Sequence, residues 1–171
     1  MLRIGLDLDN TLCEFWQAYI DRFGTPKNDY VITKNVYQKL RTDKDFWVNL
    51  EVINRIDFEP TLYCTKRVNP KSYTKQWLHN NGFPKAPIYQ VIIQSRNKAT
   101  MIKGKVDVFI DDSIQNFIQL NLAGVPCLLI DSPQNQSWGP IGRIHSLNYN
   151  DILASYELFM EYNFHEFYKY V

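Results

Sequence analysis

The sequence has few of the residues that build disulfide frameworks or zinc sites. It contains three cysteines and three histidines in 171 residues. Cys13, Cys64 and Cys127 form no Cys-x-x-Cys pair, and an odd number of cysteines cannot all pair within one chain. We therefore expect reduced, packed cysteines and no zinc site.

Long apolar runs and an excess of charge of one sign are also missing. No run approaches the roughly 18 apolar residues of a membrane span, and no basic segment followed by an apolar stretch of signal length begins the sequence. The formal net charge is +1, which gives no general attraction to nucleic acid or to a membrane surface. We expect a cytoplasmic protein with no membrane partner. A nucleic-acid partner is disfavoured and would need a local basic patch.

Two apolar segments of the sequence end in acidic residues. The first lies at the N-terminus and carries Asp7 and Asp9, and the second lies about a hundred residues later and stops at Asp111 and Asp112. Buried carboxylates that converge on one point repel one another, so they need a cation or a proton. Since only oxygen ligands are on offer, the sequence favours Mg²⁺ as the cofactor.

The second part of the chain alternates between strand and helix signals. Strands are predicted over residues 61–64, 88–93, 106–110 and 125–130, and helices over 70–81, from about 97, and over 114–123. This alternation predicts an α/β fold with a parallel sheet and helices on both faces. Residues 131–143 are predicted as an irregular loop, and residues from about 150 to 171 as a terminal helix.

The segment between the first two strands has a different character. Phe15, Tyr19 and Phe23 recur at a helical spacing, and Gly24 is suited to end that helix. We therefore expect a small helical region over residues 12–58.

The acids belong to a longer set of residues in a fixed order. In chain order they are Asp7, Asp9, Thr11, Thr65, Lys98, Asp111 and Asp112. At these positions, spread over residues 2 to 130, the chain resembles the haloacid dehalogenase superfamily of phosphotransferases. The resemblance implies a three-layer Rossmann-like parallel sheet formed by residues 1–11 and 59–171, with a small helical cap inserted over residues 12–58.

The resemblance also implies the catalytic roles. Asp7 would attack phosphorus and become an aspartyl-phosphate, and Asp9 would be the general acid and base. Thr65 would bind a phosphoryl oxygen, and Lys98 would neutralise its charge and hold Asp7. Lys98 is the favoured candidate for the family's lysine, and Lys103 and Lys105 are competing candidates.

The metal ligands follow from the same resemblance. Asp7, the main-chain oxygen of Asp9, and Asp111 would bind Mg²⁺, with Asp112 assisting directly or through water.

Within the superfamily, the position of the insertion resembles that of the 5'(3')-deoxyribonucleotidases. In that family cap aromatics stack on the base, and here the candidates are Phe15, Trp16, Phe46 and Trp47, although four aromatics in a small lobe can equally form its core. The residues we predict to contact substrate are Thr11, Phe15, Trp47, Lys66 and Arg67. Asn10 and Leu12 depart from the family's usual residues on either side of Thr11, which leaves the substrate less defined than the chemistry.

Three functions fit the sequence. The favoured one is a Mg²⁺-dependent phosphomonoesterase whose partner is a small phosphomonoester, a nucleoside monophosphate above all, and a homodimer is compatible with it. The second is a phosphatase for another small phosphomonoester or for a nucleic-acid end, with Lys66, Arg67 and Lys71 as an anion-binding platform. The third is a binding protein on the same scaffold without catalysis.

Overall fold

A six-stranded, all-parallel sheet forms the centre of the molecule. The computed structural model describes residues 1–26, 32, 34–91 and 97–163. The strands are β1 (Ile4–Leu6), β2 (Leu62–Thr65), β3 (Ile88–Gln90), β4 (Val108–Asp111), β5 (Cys127–Ile130) and β6 (Arg143–Ile144). The predicted α/β class and the parallel sheet are confirmed.

The strand order is β3-β2-β1-β4-β5-β6. The chain moves outward from β1 to β3, returns to the centre, and moves outward on the other side from β4 to β6. The order therefore reverses between β1 and β4, which is consistent with a Rossmann-like fold. In such a sheet the crevice for ligands opens at the carboxyl ends of the two strands where the order reverses.

Seven α-helices lie in the described part of the chain. They are α1 (Trp16–Phe23), α2 (Lys34–Thr42), α3 (Lys44–Val48), α4 (Lys71–Asn80), α5 (Lys98–Ile102), α6 (Ile114–Leu122) and α7 (Tyr149–Leu158), the last continuing into a π-helical turn, Phe159–Asn163. The first three lie between β1 and β2, so this region is helical as predicted. Among the described helices, none is both long enough and apolar enough to cross a membrane.

Local interactions explain where two of these helices begin and end. The side-chain oxygen of Asn10 accepts hydrogen bonds from the backbone N–H groups of Phe15 and Trp16 and so caps the first turn of α1. Gly24, with φ of +81°, ends this helix, as the sequence predicts. Ser113 caps α6 by accepting from the backbone N–H of Asn116.

The structure differs from the sequence prediction at two places, and two further predicted segments are described only in part. The predicted loop 131–143 contains a short 3₁₀ turn, Pro133–Asn135, and reaches β6, which is too short to give an alternating signal. Helix α4 begins one residue later than predicted, because Pro70 is its N-cap. The later parts of the predicted strand 88–93 and of the terminal helix, residues 92–93 and 164–171, lie outside the described residues.

Buried side chains of neighbouring segments crowd Gly5 in β1. A Cβ atom built on Gly5 would lie 2.7 Å from the ring of Phe109 and 2.9 Å from a methyl of Val106. A side chain at this position would therefore force these buried side chains or β1 to move. Glycine here lets β1 and β4 pair in register, with Leu6 opposite Ile110, and this pairing positions the residues that follow both strands.

Candidate functional site

Three carboxylates meet where the strand order reverses. Asp7 directly follows β1, and its backbone N–H donates to the carbonyl of Ile110 at 2.9 Å. Asp111 is the last residue of β4 and Asp112 is the next. Side-chain oxygens of Asp7, Asp111 and Asp112 all lie within 4.8 Å of one another, and all three residues are buried. The parallel pairing of β1 and β4 brings together acids that are distant in sequence.

Lys98, in the first turn of α5, joins this acidic cluster. Its Nζ atom lies 2.6 Å from Oδ1 of Asp7 and 2.6 Å from Oδ2 of Asp111, and the residue is only 2% exposed. The two competing lysines lie elsewhere: Lys103 donates to the carbonyl of Ala123, and Lys105 lies over the ring of Tyr89. Of the three predicted candidates, Lys98 is the one in contact with Asp7.

Burial and mutual repulsion shift the ionisation of the cluster. Burial raises the pKa of Asp7 to about 7, with Asp111 adding to the rise and Lys98 opposing it. Burial, and then the charge of Asp111, also raises the pKa of Asp112 well above its usual range. Burial lowers the pKa of Lys98, but Asp111 and Asp7 outweigh it and hold the ammonium charged. One buried cation therefore faces three acidic side chains. Its single positive charge does not balance three carboxylates, so the site would stabilise a further cation.

Asn116, in the first turn of α6, is a member of the site that the sequence prediction missed. Its Nδ2 donates to both oxygens of Asp111, at 3.0 and 3.2 Å, and its Oδ1 accepts from Nζ of Lys66 at 2.6 Å. The backbone N–H of Ser113 also donates to Asp111, at 3.0 Å. A signal was available, because an amide one turn after an acid pair lies within reach of that pair.

Asp9 lies beside the acidic cluster but is paired differently. Its carboxylate accepts from Nε of Arg67 at 2.9 Å and forms an ion pair with Nη2 at 2.8 Å. The hydroxyl of Thr65 lies 3.4 Å from the other oxygen of Asp9. The side chain of Asp9 is 19% exposed, so it still reaches the surface of the site.

Arg67 is enclosed rather than presented to a ligand. Its guanidinium lies between two indole rings, 5.1 Å from the centre of Trp47 and 5.5 Å from that of Trp77, and its Nη2 also contacts Sγ of Cys13. The side chain has no exposed surface. Arg67 is among the residues that line the cavity at this site, but its charge holds Asp9 and its faces are covered, so its contact with substrate stays a prediction.

A cavity of about 290 Å³ opens at this site, and we call it the acidic cavity. Its polar lining includes Asp7, Asp9, Asp112, Thr65, Lys66, Lys98 and Asn116, and its apolar lining includes Phe15, Trp16, Tyr37, Leu40 and Trp47. Lys66 lines this cavity, and its contact with substrate stays a prediction. Burial, and then the charge of Lys98, lowers its pKa.

The aromatic residues of the acidic cavity differ in how much surface they present. Phe15 and Trp47 are 7% and 2% exposed, they stack with ring centres 5.7 Å apart, and the indole N–H of Trp47 donates to the carbonyl of Leu40. Both serve mainly as packing. Trp16 is half-buried and Tyr37 is 39% exposed, so these two present more of their surfaces to a ligand.

Thr11, another predicted substrate contact, does not line the acidic cavity. Its side chain is fully buried, and its hydroxyl has no hydrogen-bond partner among the described residues. Its carbonyl accepts from Asn54. Thr11 therefore supports the loop after β1, and its contact with substrate stays a prediction.

Neither the family models nor the curated proteins compared with this chain give a match.

Proposed function

We propose that the protein is a Mg²⁺-dependent phosphomonoesterase of the haloacid dehalogenase type that acts on nucleoside monophosphates. The observation that carries the proposal is the contact of Lys98 with both Asp7 and Asp111 at the point where the strand order reverses. A nucleophilic carboxylate held by a buried lysine, beside two further acids, is what transfer of a phosphoryl group to a side chain requires. The helical segment between β1 and β2 would be the cap of this fold.

The donor atoms of the acidic cluster fit Mg²⁺. Asp7, Asp111 and Asp112 offer carboxylate oxygens within 4.8 Å of one another, without a sulfur or nitrogen ligand among them. The resemblance of the sequence adds the main-chain oxygen of Asp9. When bound, the ion would supply positive charge to the non-bridging oxygens of the phosphoryl group.

The two carboxylate oxygens of Asp7 would have different roles in the first chemical step. Because Oδ1 is held by Lys98, Oδ2 is the atom that attacks phosphorus. The new bond between Oδ2 and phosphorus forms as the bond from phosphorus to the leaving oxygen breaks, which gives an aspartyl-phosphate and an alcohol. Lys98 and Thr65 would stabilise the charge on the phosphoryl oxygens. Water then attacks phosphorus, which releases phosphate and restores Asp7.

Asp9 would move the protons of both steps. It would donate a proton to the leaving oxygen in the first step and take one from the attacking water in the second. Arg67 would act as a positioning residue, because it holds the carboxylate of Asp9 through two nitrogen atoms while two indole rings fix the guanidinium itself.

The apolar half of the acidic cavity supports a nucleotide as substrate. Trp16 and Tyr37 line the same cavity as Asp7 and present aromatic surface on which a base could stack. A phosphate at Asp7 and a base against these rings would together occupy the cavity.

A phosphate-release screen tests the proposal. Purified protein is assayed with mononucleotides, sugar phosphates and an aryl phosphate, with Mg²⁺ and with chelator. We expect release that requires Mg²⁺ and is fastest with a nucleotide. Faster hydrolysis of sugar phosphates than of nucleotides would contradict the proposed substrate class. Failure to release phosphate from any phosphomonoester would contradict the phosphatase activity itself.

A further inference from the structure

A second cavity, of about 850 Å³, lies next to the acidic cavity, and we call it the basic cavity. Val68 lines both, and helix α2 contributes Leu40 to the acidic cavity and the next residue, Arg41, to the basic one. The two cavities therefore share a wall. Since both cavities have Val68 in their lining, a ligand long enough to pass this residue would reach both of them.

The basic cavity carries unpaired positive charge. Arg41, Lys71 and Lys75 line it, and no acid occurs among the described residues of its lining. None of the three makes an ion pair with a carboxylate in the part of the chain that the structure describes. Lys71 and Lys75 lie one turn apart on α4, so both point from the same helical face. The cavity is suited to an anion with more than one charge.

The walls between these cations are largely apolar. They include Pro87, Tyr89 and Met101, and Tyr89 is partly exposed. Cations that follow a chain of phosphates, together with an aromatic ring on which a base stacks, are the features by which proteins bind single-stranded nucleic acid. A free inorganic anion would use the lysines but would leave the apolar walls without a contact.

Hydrogen bonds fix the basic cavity to the segment that carries the site residues. Nε2 of Gln90 donates to the carbonyl of Arg67 at 2.8 Å and to that of Asn69 at 2.5 Å. Asn69 in turn donates to the hydroxyl of Thr74 in α4. The chain from Thr65 to α4 is therefore held in place between the two cavities, and the distance between them is set by the fold.

We propose that the basic cavity binds the nucleotide adjacent to a phosphorylated terminal nucleotide, so that the substrate is the phosphorylated end of a single-stranded nucleic acid. This inference rests on the proposed phosphatase function and extends its substrate from a single nucleotide to the phosphorylated terminal nucleotide of a chain. The net charge of +1 does not oppose it, because that value averages over the whole chain while the cations here are local. The terminal phosphate lies at Asp7, and the next phosphodiester lies among Lys71, Lys75 and Arg41.

Steady-state kinetics test the substrate. The wild-type protein is compared on a mononucleotide and on single-stranded trinucleotides of the same base that carry a phosphate at the 5' or the 3' end. We expect kcat/KM for one trinucleotide to exceed that for the mononucleotide by about tenfold or more. The double variant Lys71→Ala with Lys75→Ala should lower the trinucleotide value by about tenfold more than the mononucleotide value. Lys44→Ala, an exposed lysine that lines neither cavity, is the matched control.

Binding of an unphosphorylated trinucleotide separates this inference from the phosphatase proposal, since it has no terminal phosphate to hydrolyse. Measured by fluorescence anisotropy, its affinity should fall with added salt and be lost in the double variant but kept in Lys44→Ala. If the mononucleotide is hydrolysed while neither trinucleotide is preferred, or if the double variant loses both activities equally, the basic cavity is not a substrate site and the phosphatase proposal stands. Salt-dependent binding of the trinucleotide without hydrolysis of any substrate would support the nucleic-acid site and contradict the phosphatase proposal.

Discussion

Arg67, which is buried, and Asp9, which is partly exposed, form an ion pair that joins the loop after β1 to the segment after β2. Nη2 of Arg67 lies 2.8 Å from Asp9, and the guanidinium is enclosed by Trp47 from α3 and Trp77 from α4. Through Arg67, helices α3 and α4 are therefore packed against the residue that holds Asp9, which we propose as the general acid and base. Both the stability and the activity of the protein should depend on this ion pair.

Replacing Arg67 should damage the protein in two separable ways. Arg67→Met leaves Asp9 without its partner, so we expect the free energy of unfolding to fall by about 3–5 kcal/mol, measured by urea denaturation. Arg67→Lys keeps the charge but cannot supply two fixed nitrogen atoms, so we expect a smaller loss of stability with a clear loss of kcat. If Arg67→Lys kept full kcat, Arg67 would not position Asp9.

Replacing Lys98 should lower activity far more than replacing Lys103 or Lys105, the two other lysines that the sequence offers as candidates. Lys98→Met removes the cation between Asp7 and Asp111, and we expect kcat/KM to fall by about a hundredfold or more. Lys103→Met and Lys105→Met are matched controls, because these lysines contact Ala123 and Tyr89 and not the acids. Equal losses in all three variants would show that the lysine of the site has been misplaced.

Mg²⁺ should stabilise the protein more at higher pH. Because burial raises the pKa of Asp7 to about 7, this carboxyl holds a proton below that pH, and the ion must displace it. We therefore expect the rise in Tm caused by Mg²⁺ to be larger at about pH 8 than at about pH 6. Without Mg²⁺ the same shift acts in the opposite direction. Between the ordinary pKa of an aspartate and about pH 7, the unfolded chain releases this proton while the folded protein keeps it, so stability falls as the pH rises through that range.

The control for this pH dependence is Asp7→Asn, which has no proton to lose at that position. Its Mg²⁺-induced rise in Tm should be smaller and should change less between the two pH values. A Tm that Mg²⁺ does not change at either pH in the wild-type protein would contradict the metal assignment.

The aromatic residues of the acidic cavity should separate into contact and packing residues. Trp16→Ala and Tyr37→Ala should raise KM for a nucleotide more than for a small aryl phosphate, because stacking contributes about 1–3 kcal/mol per base. Trp47→Ala should instead lower stability and both activities together, since Trp47 is 2% exposed and packs on Arg67. A selective effect of Trp47→Ala on the nucleotide would reverse this assignment.

The sequence predicted the acidic cluster well because its members follow strands. A parallel sheet brings the ends of its strands together, so Asp7, Asp111 and Asp112 could be placed near one another without coordinates. Asn116 could have been added by the same reasoning, since it lies one turn after Asp111. These residues depend on local pattern and on the order of the strands.

The remaining features depend on packing between distant segments. Arg67 follows a threonine at a strand end and resembles an anion-binding residue in sequence, but Trp47 and Trp77 enclose it in the fold. The basic cavity likewise combines Arg41 with residues of α4 and β3. Because these residues belong to different elements, no sequence pattern within one helix or strand indicates that they are neighbours. Side-chain burial between elements was the information that the sequence lacked.

The most direct measurement of the proposed chemistry is to trap the phosphorylated enzyme. The protein is mixed with its best nucleotide substrate and Mg²⁺, quenched in acid during turnover, digested, and mapped by mass spectrometry. We expect one phosphoryl group on the peptide that contains Asp7, and none in Asp7→Asn, whose kcat should be below about a tenth of the wild-type value. Rapid release of phosphate by the wild-type protein with no phosphoryl group on Asp7, or substantial turnover by Asp7→Asn, would contradict covalent catalysis at this residue.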